Sequence, residues 1–290
     1  MTTLLEILSP SFLLRDALVG SVLVGLVCPL VGVYFVLRRM IFLGVALPQL
    51  SAAGIAFSFL VYRTVVGAHE HGVVSERLLA MVGSFGFTLV GLLVLAAFER
   101  QGRETVEARI GVTYAMAASA TLLFLAADPW GEAQMVNLLK GDILATTGTS
   151  LGVLLGVLGA VVLILLLFRK EFLLVSFDRD LATVFGKRPS LWDTILYLAI
   201  GVTISLGTMT AGPLVTFGFL VVPPLAARRV TRRMLSFSLA AALIGGLSAF
   251  VGFYCAYRFD LPLGPAQVAV ACVVLLATAA VGRRGALATR

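Results

Sequence analysis

The sequence predicts an all-α fold, a polytopic transmembrane bundle of about nine helices with the N-terminus outside and the C-terminus cytoplasmic. Three observations lead there: a composition too apolar for water, spanning-length apolar runs along the whole chain, and basic residues gathered on alternate connections. Of 290 residues, 60% are hydrophobic and 13% are charged, and the mean hydropathy is +1.04. A soluble domain of this size carries roughly 25% charged residues. Lipid is therefore the expected solvent.

Crossing the hydrocarbon core takes about 20 apolar residues. Runs of that kind, broken by charges and turn residues, fall near 14–37, 45–62, 78–98, 110–127, 148–168, 191–209, 212–227, 234–257 and 264–282. The first 16 residues lack the basic region of a signal peptide, so the first apolar helix is expected to stay in the mature chain. The sixth and seventh runs meet at Met209-Thr210-Ala211-Gly212-Pro213, a break tight enough to border a cavity. Residues 1–290 read as one transmembrane domain, with a cytoplasmic segment at about 170–190.

Charge sets the orientation. Seventeen of the 22 basic residues lie on one set of connections: Arg38 and Arg39, Arg100 to Arg109, Arg169 to Arg188, Arg228 to Arg233, and Arg283 to Arg290. The positive-inside rule places that set in the cytoplasm. An outside N-terminus and an inside C-terminus require an odd number of spans, which nine satisfies. The net charge of +7 is thus a topology signal, and nucleic acid is not an expected partner.

Other features are less specific. Glycines within the spans let helix backbones approach closely. Pro29, Pro48, Pro223 and Pro224 each remove a helical hydrogen bond, a break tolerated where protein or a water-filled cavity satisfies the freed carbonyl. Cys28, Cys255 and Cys272 sit in apolar runs with no metal or redox spacing and read as packing residues. On the outer side His69, Glu70 and His71 could form a weak metal site, or simply a solvated loop. The outer segment from Asp128 to Asp142, with Trp130 as an aromatic anchor, reads as an interfacial helix able to receive an external partner.

The cytoplasmic segment is the most informative. Ser176 to Gly186 reads as a short helix, with Ser176 as N-cap, Asp178 and Asp180 in the first turn, and Gly186 as C-cap. Phe177, Leu181, Val184 and Phe185 fall on one face of this segment, which also carries Ala182. Such a stripe outside the membrane calls for a protein groove or the lipid surface, and docking into a soluble partner is the sharper reading. The chain contains no GxxxxGK[ST] loop, Rossmann glycine pattern, HExxH or GxSxG. It does not read as an enzyme, and ATP used in any transport would be hydrolysed on another chain.

Four segments, in order, resemble the permease subunits of bacterial ABC importers for zinc, manganese and iron, which are related to the cobalamin and siderophore importers. Gly32 to Gly44 (GVYFVLRRMIFLG) is similar to the family's "GvyxVLRRmaflG", and Glu107 to Val112 to its "ExAxIG". Ser176 to Gly186 is similar to the "sfDxdlAxaxG" coupling segment. Ala211-Gly212-Pro213-Leu214 through Pro223, then Asp260 to Pro265, resembles the "aGpLLvxaxLvxP … DLPtGP" ending.

The resemblance implies a cobalamin-importer-like fold in the bacterial cytoplasmic (inner) membrane. It also implies a second permease copy or paralogue across a central pathway, and an ABC ATPase dimer gripping the coupling segment. ATP would be bound by that partner and no cofactor by this chain. A periplasmic or lipid-anchored binding protein would deliver a divalent metal from outside, where His69, His71 and Asp260 are candidate contacts. Val45, Pro48, Gln49, Ser51, Pro213 and Pro223 are the candidate pathway residues.

One departure bears on substrate. Metal-importing members read "GDALSHA" where this chain reads Gly44-Val45-Ala46-Leu47-Pro48-Gln49-Leu50. Valine cannot coordinate, and an amide oxygen binds transition metals poorly. A partner permease could supply the ligands, the substrate could differ, for example a chelated metal, or ions could pass with few fixed ligands. An ion-coupled secondary transporter would need ionisable residues near mid-span. An intramembrane metalloprotease would need histidine there. The spans supply neither.

Overall fold

The structure, a computed structural model, describes residues 14–66, 73–99, 106–127 and 148–287. Within them the secondary structure is helical, with no strand. Nine long helices coincide with the nine apolar runs: α1 (Arg15–Leu37), α2 (Leu43–Val66), α3 (Val73–Glu99), α4 (Val106–Ala126), α5 (Gly148–Leu167), α8 (Pro189–Ala211), α9 (Pro213–Val230), α10 (Met234–Phe259) and α11 (Leu263–Leu287). Two short helices, α6 (Arg169–Phe177) and α7 (Arg179–Val184), lie between α5 and α8. By length and composition, seven helices among the described residues can cross a membrane. The pair α5–α6, bent by 66°, makes an eighth, and Leu78–Val94 of α3 is a shorter apolar stretch.

Burial sorts the helices. Most of α1, α2, α8 and α9 is covered by neighbours, with Val24, Phe35, Leu47, Ile200, Phe219 and Leu220 fully enclosed. By contrast, α4, α5, α10 and α11 turn large apolar side chains such as Met116, Leu123, Leu163, Leu243 and Leu276 outward. An apolar exterior around a packed interior is what a hydrocarbon solvent requires, since lipid does not penalise exposed leucine.

Close backbone contact holds the interior together, because no hydrophobic effect drives helices together in lipid. At Gly32 a methyl group would run into the carbonyl oxygen of Leu220, so α1 and α9 meet backbone to backbone there. Gly32→Ala should push the two helices apart and cost about 1–3 kcal/mol, the usual range for overpacking. Thermal unfolding in detergent checks this. Gly111→Ala, at a position with open space around it, should leave the midpoint unchanged.

The break between the sixth and seventh runs is one residue long. Gly212, at φ +84°, separates α8 from α9, and Pro213 occupies the first turn of α9. The Gly212 carbonyl accepts the N–H of Thr216 at 3.1 Å and its hydroxyl at 2.9 Å. Ala211, Gly212 and Pro213 are all buried, so the reversal is a packed element of the bundle.

The segment between α5 and α8 departs from the expected single helix capped by Ser176. The N-cap is Asp178, in extended backbone (φ −151°, ψ 105°), whose carboxylate accepts the Leu181 N–H at 2.9 Å. Ser176 lies inside α6 and donates its hydroxyl to the Phe172 carbonyl at 2.6 Å. The reason is burial: Phe172 and Val175 are drawn into the bundle and carry the helix past Ser176. The C-terminal expectation holds. Gly186 takes φ +72°, its N–H donates to Thr183 O, and Lys187 N–H donates to Ala182 O, the two bonds of a Schellman cap.

Candidate coupling and translocation site

Three elements, α1, α5 and α8, fix the α6–α7 segment. An aromatic group seats the bend below α5: Phe168 and Phe172 pack on Trp192 at ring-centroid distances of 5.1 and 5.9 Å, and Tyr34 meets Phe172 edge-on at 6.0 Å. Beside it lies a charge relay. Arg38, at the end of α1, pairs with Asp193 near the start of α8 at 2.8 Å. Its Nε donates to the Ser176 hydroxyl at 3.0 Å. Arg179, the first residue of α7, bonds the other carboxylate oxygen of Asp193. One buried aspartate therefore ties α1, α7 and α8 together.

The pair is well enclosed: the Arg38 and Asp193 side chains are 10% and 6% exposed. Arg179 is 60% exposed and its contact is worth less, because solvent screens it. A second, weaker tie joins Lys187 to Glu171 at 3.4 Å, with the ammonium above the Trp192 ring.

What these ties present outward is apolar. Phe177 is 72% exposed, Val184 82% and Phe185 65%, with Leu181 less so. Ala182 is fully buried and forms the inward side of α7. Asp180 is exposed in the first turn, where the N-terminal end of the helix favours a carboxylate. The predicted stripe is therefore composite: Phe177 ends α6, and Leu181, Val184 and Phe185 follow on and beyond α7.

The candidate pathway residues lie in α2, α8 and α9. Pro48 is a buried interior proline of α2, and Val45 and Gln49 beside it are half-buried. The start of α2 packs on α9, where Gly44 faces Phe217 and Val221, just ahead of the buried Pro223. Ser51 is wholly buried and opens a hydroxyl chain, Ser51 to Ser84 at 2.6 Å and Ser84 to Ser205 at 2.7 Å, linking α2, α3 and α8. Pro213 is buried at the α8–α9 reversal.

Sequence reasoning singled out Ser51 but missed Ser84 and Ser205. A lone serine in an apolar run has no spacing signal, and 121 residues separate the last two. It also missed Asp193 as an anchor. Among the described residues no cluster of three His, Cys, Asp or Glu side chains could hold a metal. Asp260 is exposed and serves as the C-cap of α10 in the left-handed conformation (φ 53°), its N–H bonded to Ala256 O. His69, His71 and the segment from Asp128 to Asp142 lie outside the described residues.

The sequence profile of the ABC 3 transport family matches residues 11–282. The chain is 25% identical over 267 residues to a protein of Halalkalibacterium halodurans named manganese transport system membrane protein MntC, covering 92% of this chain and 86% of that one. It superposes on a chain of PsaBC from Streptococcus pneumoniae, solved in complex with Fab, with a TM-score of 0.80 and 21% identity, covering 94% of this chain and 93% of that one. A putative metal-chelate type ABC transporter in an inward-facing conformation matches with a TM-score of 0.67 and 14% identity, over 91% of this chain and 85% of the other.

Proposed function

The chain belongs to the ABC 3 transport family, and from that premise we propose that it lines the pathway by which an ATP-driven importer carries a divalent metal, manganese first among the candidates, into the cell. It is a multi-pass membrane component of transport and not an enzyme. The observation that carries the reading is the α6–α7 segment, an exposed apolar surface held rigidly to α1 and α8 by the Arg38–Asp193–Arg179 relay. Phe177, Leu181 and Phe185 form the contact for a cytoplasmic ATPase dimer. Asp178, Asp180, Ala182 and Gly186 give the contact its shape. Closure of the ATPases on ATP would pull this segment, and the relay would pass the displacement to two long spans, a rigid-body switch between two packings.

On this reading the membrane is the bacterial cytoplasmic membrane, a second permease faces the first, and an external binding protein delivers the metal at the end where Asp260 lies. Val45, Pro48, Gln49, Ser51, Pro213 and Pro223 border the pathway, and ATP binds only to the partner. Support comes from the manganese-transport relative, similar over most of both chains. A second reading has its own observation behind it: Val45 and Gln49 stand where metal importers carry Asp and His, which favours a chelated metal needing no ligands from this chain.

Uptake by proteoliposomes holding the permease, its ATPase and its binding protein tests both. ATP-dependent accumulation of radiolabelled manganese supports the free ion. Accumulation only with a chelator present supports the second reading, and no ATP-dependent uptake of either overturns the proposal. In the same assay Gln49→His should shift selectivity toward transition metals that prefer imidazole, such as zinc over manganese, by roughly tenfold. An unchanged selectivity profile would remove Gln49 from the pathway.

A further inference from the structure

A second feature at the arginine-bearing end lies outside the coupling segment. A cavity of about 400 Å³ opens where the ends of α1, α2, α4 and α9 converge, with Leu92 of α3 and Tyr197 of α8 also in its wall. Among the described residues its charged lining is one-sided: Arg38, which is paired with Asp193, and Arg39, Arg109 and Arg228, against the carboxylate of Glu107. Even with Arg38 balanced by Asp193, guanidinium groups outnumber carboxylates in this lining, which disfavours a free divalent cation and suits an anion. The rest of the lining is apolar, including Val36, Ile41, Leu43, Leu92 and Ile110. An inorganic anion gains nothing from such a floor, whereas an amphiphile uses both parts.

Two local observations show that the cavity is built. The Arg38 side chain is nine-tenths buried, and while Nη1 and Nε are engaged by Asp193 and Ser176, its buried Nη2 has no hydrogen-bond partner among the described residues. Arg39 occupies the left-handed position (φ 58°) of the turn closing α1, where Met40 N–H donates to Phe35 O at 2.9 Å. That position ordinarily belongs to glycine. Holding an arginine there keeps a long cationic side chain at the cavity wall.

We propose that this cavity binds the phosphate headgroup of an anionic phospholipid, with the arginines on the phosphodiester and the acyl chains over the apolar floor. Basic pockets between transmembrane helices on the cytoplasmic side have this chemistry. Because Arg38 also holds Asp193, a bound headgroup would brace the same arginine that anchors the coupling segment. The proposal does not depend on which metal is carried.

Native mass spectrometry of the full-length protein in detergent, titrated with phosphatidylglycerol or phosphatidylcholine, tests it. One phosphatidylglycerol per chain should be retained, at least tenfold more tightly than phosphatidylcholine. The double substitution Arg39→Gln with Arg228→Gln, both at exposed positions, should weaken phosphatidylglycerol retention by roughly tenfold and leave phosphatidylcholine unaffected. Equal retention of the two lipids overturns the proposal, as does a double variant that binds like the wild type. Displacement by millimolar inorganic phosphate would reassign the cavity to a free anion, and displacement on adding the ATPase would reassign it to protein. Should the variant fail to fold, the wild-type lipid preference and the phosphate competition still decide.

Discussion

Asp193→Ala should destabilise the bundle by about 3–5 kcal/mol, the usual cost of removing one partner from a buried ion pair. The asymmetry of the pair explains the size. Deleting the carboxylate leaves the enclosed Arg38 guanidinium without its counter-charge, while Arg179, already mostly in solvent, loses little. Thermal unfolding in detergent measures the loss. Asp193→Asn should cost less, because an amide oxygen can still accept from an arginine. The informative variant is the double one: Arg38→Met with Asp193→Leu replaces the pair by packed apolar groups and should return stability to within about 1–2 kcal/mol of the wild type.

ATP-driven uptake should nonetheless stay low in that double variant, because the tie from the first residue of α7 to α1 and α8 is gone. Recovery of stability together with transport would mean that the relay only stabilises the fold. Recovery of stability without transport separates the mechanical role from the structural one. The Trp192 aromatic group remains in both cases, so α6 keeps its seat and only the charged link is tested.

The parts of this structure legible in the sequence are those set by solvent and by local chain chemistry. All nine apolar runs became helices, since about 20 apolar residues in lipid can satisfy their backbone only within the segment. The Schellman cap at Gly186 was readable because only the local chain decides it. Placing the N-cap at Ser176 failed for a tertiary reason: Phe172 and Val175 found a buried seat against α8 and α1, so the helix ran on and Asp178 inherited the cap. The relay failed to show for a similar reason, since Arg38 and Asp193 lie far apart in the chain. Nothing local marks them as partners, nor marks Ser84 and Ser205 as neighbours. The α5–α6 bend was also invisible, because the residues on both sides are good helix formers and the kink comes from packing around Phe168 and Trp192.

Phe177→Asp combined with Phe185→Asp should reduce ATP-driven uptake by about a hundredfold while moving the unfolding midpoint little. Both side chains are largely exposed, and substitutions at such positions usually change stability by no more than about 0.5 kcal/mol. The transport effect follows from what the residues would do in a complex. Aromatic side chains that fill a partner's pocket each contribute about 2 kcal/mol or more, and a carboxylate forced into that pocket adds a desolvation cost. Two such losses exceed the 2.8 kcal/mol that corresponds to a hundredfold change, about 1.4 kcal/mol per factor of ten. Leu243→Asp, on the outward face of α10, is the contrasting variant. It should impair membrane insertion without affecting ATPase binding by the protein that does insert. Co-purification of the ATPase with each variant distinguishes the two faces. Normal assembly and stimulated hydrolysis in the Phe177/Phe185 variant would assign the apolar surface of α6–α7 to the membrane boundary, where a rigidly anchored short helix with an exposed aromatic edge could also reside.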